Sequence, residues 1–105
     1  MFLYEAKTPD TLKKGLMHVT DLKGYGGMLF ILPTLQKPKF WMKDTPLPLD
    51  ILFITPQKTI ACVHENVRPY SLEHKTCATP VSWVIELKQG LSRHLNLKVG
   101  HVLDF

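Results

Sequence analysis

The sequence predicts a mainly β domain: a compact antiparallel β-sandwich or barrel, capped by two short helices. Three observations carry this. Apolar residues fall in short runs or alternate with polar ones, which is the pattern of strands, and no long stretch has helical spacing. Eight prolines in 105 residues exceed the usual ~5% and interrupt the chain too often for long helices. The length fits one domain, able to bury roughly 65% of its unfolded surface around a single core.

Residues 2–6 read as the first strand. Thr8, Pro9 and Asp10 then open a helix, with Thr8 as N-cap, proline in the first turn and a carboxylate near the positive helix end. Leu12 and Leu16 share one face of it, and Gly15 weakens it. Residues 22–27 carry three glycines and read as turns. Residues 28–32 form an apolar strand, 33–39 a loop with two prolines, and 40–43 another strand. After a tight proline connection, residues 49–55 are apolar on both sides except at Asp50, as in a central strand covered on both faces.

Residues 56–58 look like a hairpin turn leading to a strand at 59–67. The polar stretch 68–80 is a long loop. Residues 81–87 alternate, with Val81, Trp83, Ile85 and Leu87 on one side and Ser82, Val84 and Glu86 on the other. A short helix over 88–95 and a last strand over 101–105 complete the chain. The expected core takes Leu29, Ile31, Trp41, Ile51 and Phe53 from the first half. Val63, Trp83, Ile85 and Leu103 come from the second.

An ordered set of short motifs runs through these elements. Gly15-Leu16-Met17 is followed by Gly27-Met28-Leu29-Phe30, and then by Phe40-Trp41-Met42-Lys43-Asp44-Thr45. Pro48-Leu49-Asp50-Ile51 comes next, then Pro69-Tyr70-Ser71. Glu86-Leu87, Gly90 and Gly100 close the set. In this order the chain resembles, over nearly its whole length, the bacterial and archaeal family named domain of unknown function 192. The resemblance implies a jelly-roll type of sandwich with small helices and no established activity. It also implies that many relatives are exported or anchored to the envelope. Lys14, and the pair His18 and Val19, stand where the family usually has arginines. A lysine does not reproduce the two-pronged anion contact of a guanidinium.

Composition narrows the function classes. The net charge of +4 comes from 13 Lys and Arg against 9 Asp and Glu. The cations are scattered, so nucleic-acid binding is not expected. No apolar run reaches the ~18 residues of a transmembrane helix. The first residues do not read as a signal peptide. As written, the chain is expected in the cytoplasm, or in the periplasm or envelope if a leader has been removed. Oligomeric state is not legible. Cys62 and Cys77 fit no C-x-x-C motif. A bridge between them would contribute about 3 kcal/mol by the loop-entropy model, whereas two free thiols are the expectation for a cytosolic protein.

The candidate ligand-binding residues are Trp41, Lys43, Asp44, Thr45 and Asp50. The first four put an aromatic platform beside a cation, a carboxylate and a hydroxyl, a plausible lining for a small molecule. A ligand there is expected to touch the glycine-rich turn at 24–28 as well. Asp50 lies in an apolar strand, where an unpaired carboxylate would cost several kcal/mol, so it must meet donors or a cation. The leading expectation is a non-enzymatic ligand-binding or accessory domain. No nucleophile motif, metal motif or cofactor loop is present, and no cofactor is expected. One alternative is a small hydrolase or lyase using Asp50 and Glu86 as paired carboxylates. Another is a Cu(I) site made by the thioethers of Met17, Met28 and Met42, against packing as the plain role of methionine.

Overall fold

A run of residues that is apolar on both sides of its backbone must be covered on both faces of a sheet. Leu49–Ile54 is such a run, and the computed structural model, which describes residues 1–105, buries all six of its residues. It is the third of five strands: β1 (Leu3–Ala6), β2 (Gly27–Gln36), β3 (Leu49–Ile54), β4 (Ile60–Val67) and β5 (Val81–Lys88). The helices are α1 (Pro9–Lys14) and α2 (Leu91–His94). The strands form one sheet in the order β1-β2-β5-β3-β4. The protein is therefore mainly β with two short helices.

Two features of the expected architecture are corrected. The sheet does not close into a barrel, because β1 and β4 remain its edges. It is also mixed, since β1 runs parallel to β2. Parallel neighbours need a crossover connection, and the segment containing α1 supplies it.

Alternation along β3 sends Ile51 and Phe53 to one face and Asp50, Leu52 and Ile54 to the other. The register carries this to β5, where Ile51 faces Glu86 and Asp50 faces Leu87. On the first face, Phe30, Ile51, Phe53 and Val84 pack with Leu16 and Met42 from the covering segments. On the second face, Leu52, Ile54, Ile60, Ile85 and Leu87 pack beneath Leu91, Leu97 and Leu103. Each fully buried large apolar side chain stabilises by about 1.5–3 kcal/mol, so these two layers hold the fold together.

Local chemistry explains where elements start and stop. Thr8 caps α1 by accepting from Thr11 N–H, and Pro9 opens the helix. The helix ends at Lys14 because Gly15 takes φ 50, so Leu16 packs from beyond it. β2 continues through Pro33 to Gln36, where a loop was expected. A register shift between Ile31 and Gln36 frees part of the strand from ladder pairing, which is where a strand tolerates proline. Gly27 is needed for close approach, since a Cβ there would lie 1.8 Å from the Glu86 carbonyl oxygen.

The strands expected at 40–43 and 101–105 are reduced to single bridges, Phe40 with Lys75 and Val102 with Thr59. Neither segment continues a ladder. Trp41 is 39% exposed and not core, while its neighbour Met42 is fully enclosed. Of the other expected core residues, Ile51, Phe53 and Ile85 are buried. Leu29, Ile31, Val63, Trp83 and Leu103 are half-buried. Cys62 and Cys77 form a disulfide, which ties the end of the 68–80 loop to β4.

Candidate functional site

The segment from Phe40 to Thr45 is short, lacks regular structure and yet is firmly held. Phe40 and Lys75 exchange backbone hydrogen bonds of 3.0 and 2.6 Å. Met42 N–H donates to Ser71 O at 2.8 Å, and Tyr70 N–H to Thr45 O at 3.1 Å. From the other side, His18 N–H donates to Asp44 O at 2.7 Å. Asp44 makes the turn with φ 55, a conformation that Asp tolerates better than most residues. The Thr45 hydroxyl closes the turn by donating to Lys43 O at 3.0 Å. With Met42 pinned in the core, Trp41 is turned outward.

Between this segment and α1 lies an open cavity of about 430 Å³, within the roughly 300–1,000 Å³ of small-molecule sites. Leu16, Phe30, Leu32 and Phe40 give it apolar walls, and Trp41 and Thr45 line it beside them. Lys13, Lys14 and Lys39 also line it, and all three are exposed. Glu86 enters from β5 and is the one carboxylate in the lining.

Glu86 is only 4% exposed, and neither ion pair in the protein involves it. Its carboxyl has no hydrogen-bond partner in the protein, yet every fully enclosed polar side-chain atom has one. The Glu86 oxygens are therefore not sealed off; they reach the cavity. Burial pushes its carboxyl from 4.5 up to about 8, because a low-dielectric site disfavours the charged form. Near neutral pH this group is mainly a carboxylic acid and can donate a hydrogen bond.

The sequence-derived candidates separate. Trp41 and Thr45 line the cavity. Lys43 and Asp44 are exposed and do not, although the Lys43 Nζ lies 5.5 Å from the Trp41 ring centroid. Gly24 lines a different hollow, together with Lys23 and Lys88. Asp50 is on the opposite sheet face with no exposure. Its carboxylate accepts from Asn66 N–H at 3.0 Å, Gly90 and Ser92 N–H at 3.1 Å each, and the Ser92 hydroxyl at 2.6 Å. It joins β3, the end of β4 and the start of α2.

The alternatives fare worse. Paired carboxylates must flank one cleft, with ~5–10 Å between them. The register places Asp50 and Glu86 on opposite faces of the sheet, so they share none. Met42 is fully enclosed, Met17 lines the Glu86 cavity, and Met28 lines a neighbouring hollow. The three sulfurs thus open onto no common space, and packing explains Met42.

Lys13, Lys39 and the apolar walls were not singled out from sequence, and Glu86 was assigned to the wrong partner. A signal for Glu86 existed. It is a lone carboxylate beside Val84, Ile85 and Leu87, in a strand too apolar to lie at the surface. The lysines carry no such mark, because nothing local shows that residues 13, 14 and 39 converge.

The family DUF192, described as "Uncharacterized ACR", matches residues 3–105. No curated relative matches the chain. A solved protein of unknown function from Novosphingobium aromaticivorans DSM 12444 is 32% identical, with a TM-score of 0.90; the match covers 96% of this chain and 72% of that one. A second, from Sinorhizobium meliloti 1021 and described as a candidate transcription regulator, is 36% identical with a TM-score of 0.86. Here the match covers 91% of this chain and 74% of that one.

Proposed function

From the premise that the chain belongs to the DUF192 family, whose description names no activity, we propose that it is a small-molecule binding domain whose cavity beneath α1 takes a small organic anion. The observation that carries this reading is Glu86: a buried carboxyl without a protein partner, aimed into a cavity of ligand size. Its oxygens open onto the cavity, where only water or a ligand can pair with them, and a ligand that displaces the water must leave them paired or lose roughly 1–3 kcal/mol. The three lysines favour negative charge at the mouth, and the apolar walls favour a short hydrocarbon body.

Trp41 and Thr45 belong to this site. Lys43 acts only through the Trp41 ring, and Asp44 through the turn it makes. Asp50 supports the fold from the other face. The single five-stranded sheet lies between two apolar layers, and the proposed site opens into one of them.

Isothermal titration with hexanoate and with hexan-1-ol tests this. The acid is expected to bind more tightly than the alcohol. Lys14→Glu and Lys39→Glu should each weaken the acid by about 2–5-fold, the scale of one exposed charge interaction. Equal binding of acid and alcohol, or no effect of either charge reversal, would contradict the reading.

A further inference from the structure

Glu86 and the lysines occupy the same cavity but not the same depth. Lys13, Lys14 and Lys39 are exposed at its edge, while Glu86 comes from the sheet and is almost wholly buried. The rest of the lining is mostly apolar, with Thr45, Gln36 and the Trp41 indole as its other polar groups. A ligand that puts its carboxylate at the lysines therefore presents its other end to Glu86. If that end is a methyl group, the Glu86 carboxyl stays unmatched and has lost its water as well. If it carries an oxygen acceptor, the carboxyl can donate to it. An ammonium group at that end is disfavoured, because it would enter a cavity already lined by three cations. A second carboxylate could take the proton but would bring an anion into the apolar part.

We propose that the cavity selects organic acids bearing a keto or hydroxyl oxygen at the end remote from the carboxylate, and that Glu86 is the residue that reads this oxygen. The inference rests on the anion-binding role proposed above and names the class of ligand. The surroundings leave Glu86 as the group that changes charge near neutrality. From β2, its cross-strand partner is Met28, and Phe30 and Leu32 line the same cavity. From β3 its partner is Ile51. α1 contributes Lys13 and Lys14, and the connection to residue 40 contributes Lys39. Lys43 and Asp44 lie outside the lining, and His18 lines the neighbouring hollow with Met28. With its carboxyl held up to about 8 by burial, Glu86 donates below that pH and loses its proton above it.

The test compares hexanoate with 5-oxohexanoate by isothermal titration at about pH 6.5 and about pH 9, either side of the Glu86 transition. The keto acid is expected to bind about 5–10-fold more tightly at the lower pH, the value of one added hydrogen bond, and to lose most of that advantage at the higher pH. Glu86→Gln keeps an N–H donor of the same shape, so the advantage should persist at both pH values. Glu86→Leu should still bind hexanoate but show no preference at either pH. Equal affinities of the two acids for the unaltered protein at the lower pH would overturn the selection while leaving anion binding intact. Preference for 6-aminohexanoate over both acids would overturn it as well. Binding of neither acid would refute the anion site, and the selection with it.

Discussion

Replacing Asp50 by Ala removes the acceptor at a junction of three elements. β4 places two residues, Glu65 and Asn66, opposite Asp50, because the register jumps between the Leu49–Val67 and Ile51–His64 pairs. Asn66 adopts φ 55 in this bulge, and its N–H donates to Asp50 Oδ1 at 3.0 Å. On the other side, α2 has four residues and a glycine N-cap with no side chain to offer. Asp50 Oδ2 replaces that cap by accepting from Gly90 N–H, Ser92 N–H and the Ser92 hydroxyl. Asp50→Ala leaves three backbone donors and one hydroxyl without their acceptor. Each unmatched buried donor costs about 1–3 kcal/mol. Water entering the vacated space recovers part of this, so the net loss should be about 3–5 kcal/mol, as when one partner of a buried charged network is removed. That is a large part of the roughly 5–15 kcal/mol of a typical domain. Ser92→Ala removes one hydrogen bond to a charged group and should cost only about 1.5–3 kcal/mol. Urea denaturation measures both. An unchanged midpoint for Asp50→Ala, with an unchanged slope, would refute the argument.

Two further predictions concern the other face. The folded Glu86 carboxyl, at about 8 against an ordinary 4.5, holds its proton where the unfolded chain has released it, so its contribution makes stability fall as pH rises from about 4.5 to about 8. Glu86→Gln should flatten that slope in urea midpoints taken across the range, and an identical slope in the variant would contradict the burial argument. Replacing both Cys62 and Cys77 with Ser should lower stability by about 3 kcal/mol on the loop-entropy model, read as a lower melting temperature; an unchanged melting temperature would mean the tie between β4 and the 68–80 loop does not matter to the fold.

The strand character of residues 49–54 and 81–88 was legible because their apolar patterning is set locally. So was the start of α1, since Thr8 and Pro9 act within one turn. The need for partners at Asp50 followed from its place in an apolar strand, but the partners did not. They come from residues 66, 90 and 92, brought together only by strand order and by a bulge. The sequence pattern also could not decide between Trp41 and Met42. Both are large and apolar, and the choice rests on which one the bridge between Phe40 and Lys75 turns inward. The parallel pairing of β1 with β2 was hidden for the same reason: it depends on how the connection through α1 crosses the sheet. Of the five candidate ligand residues, Trp41 and Thr45 line the cavity and Lys43, Asp44 and Asp50 do not, and the pairing of Glu86 with Asp50 runs across a sheet that separates them.

The proposed function places a ligand in the cavity between α1, Trp41 and Glu86. Amide and indole NMR shifts during titration with hexanoate report on that placement. Shifts are expected at Lys14, Leu16, Thr45 and Glu86 and at the Trp41 indole N–H, with Asp50 and Ser92 on the opposite face unmoved. Shifts confined to Asp50, Ser92 and the α2 face, or to the 68–80 loop, would contradict it.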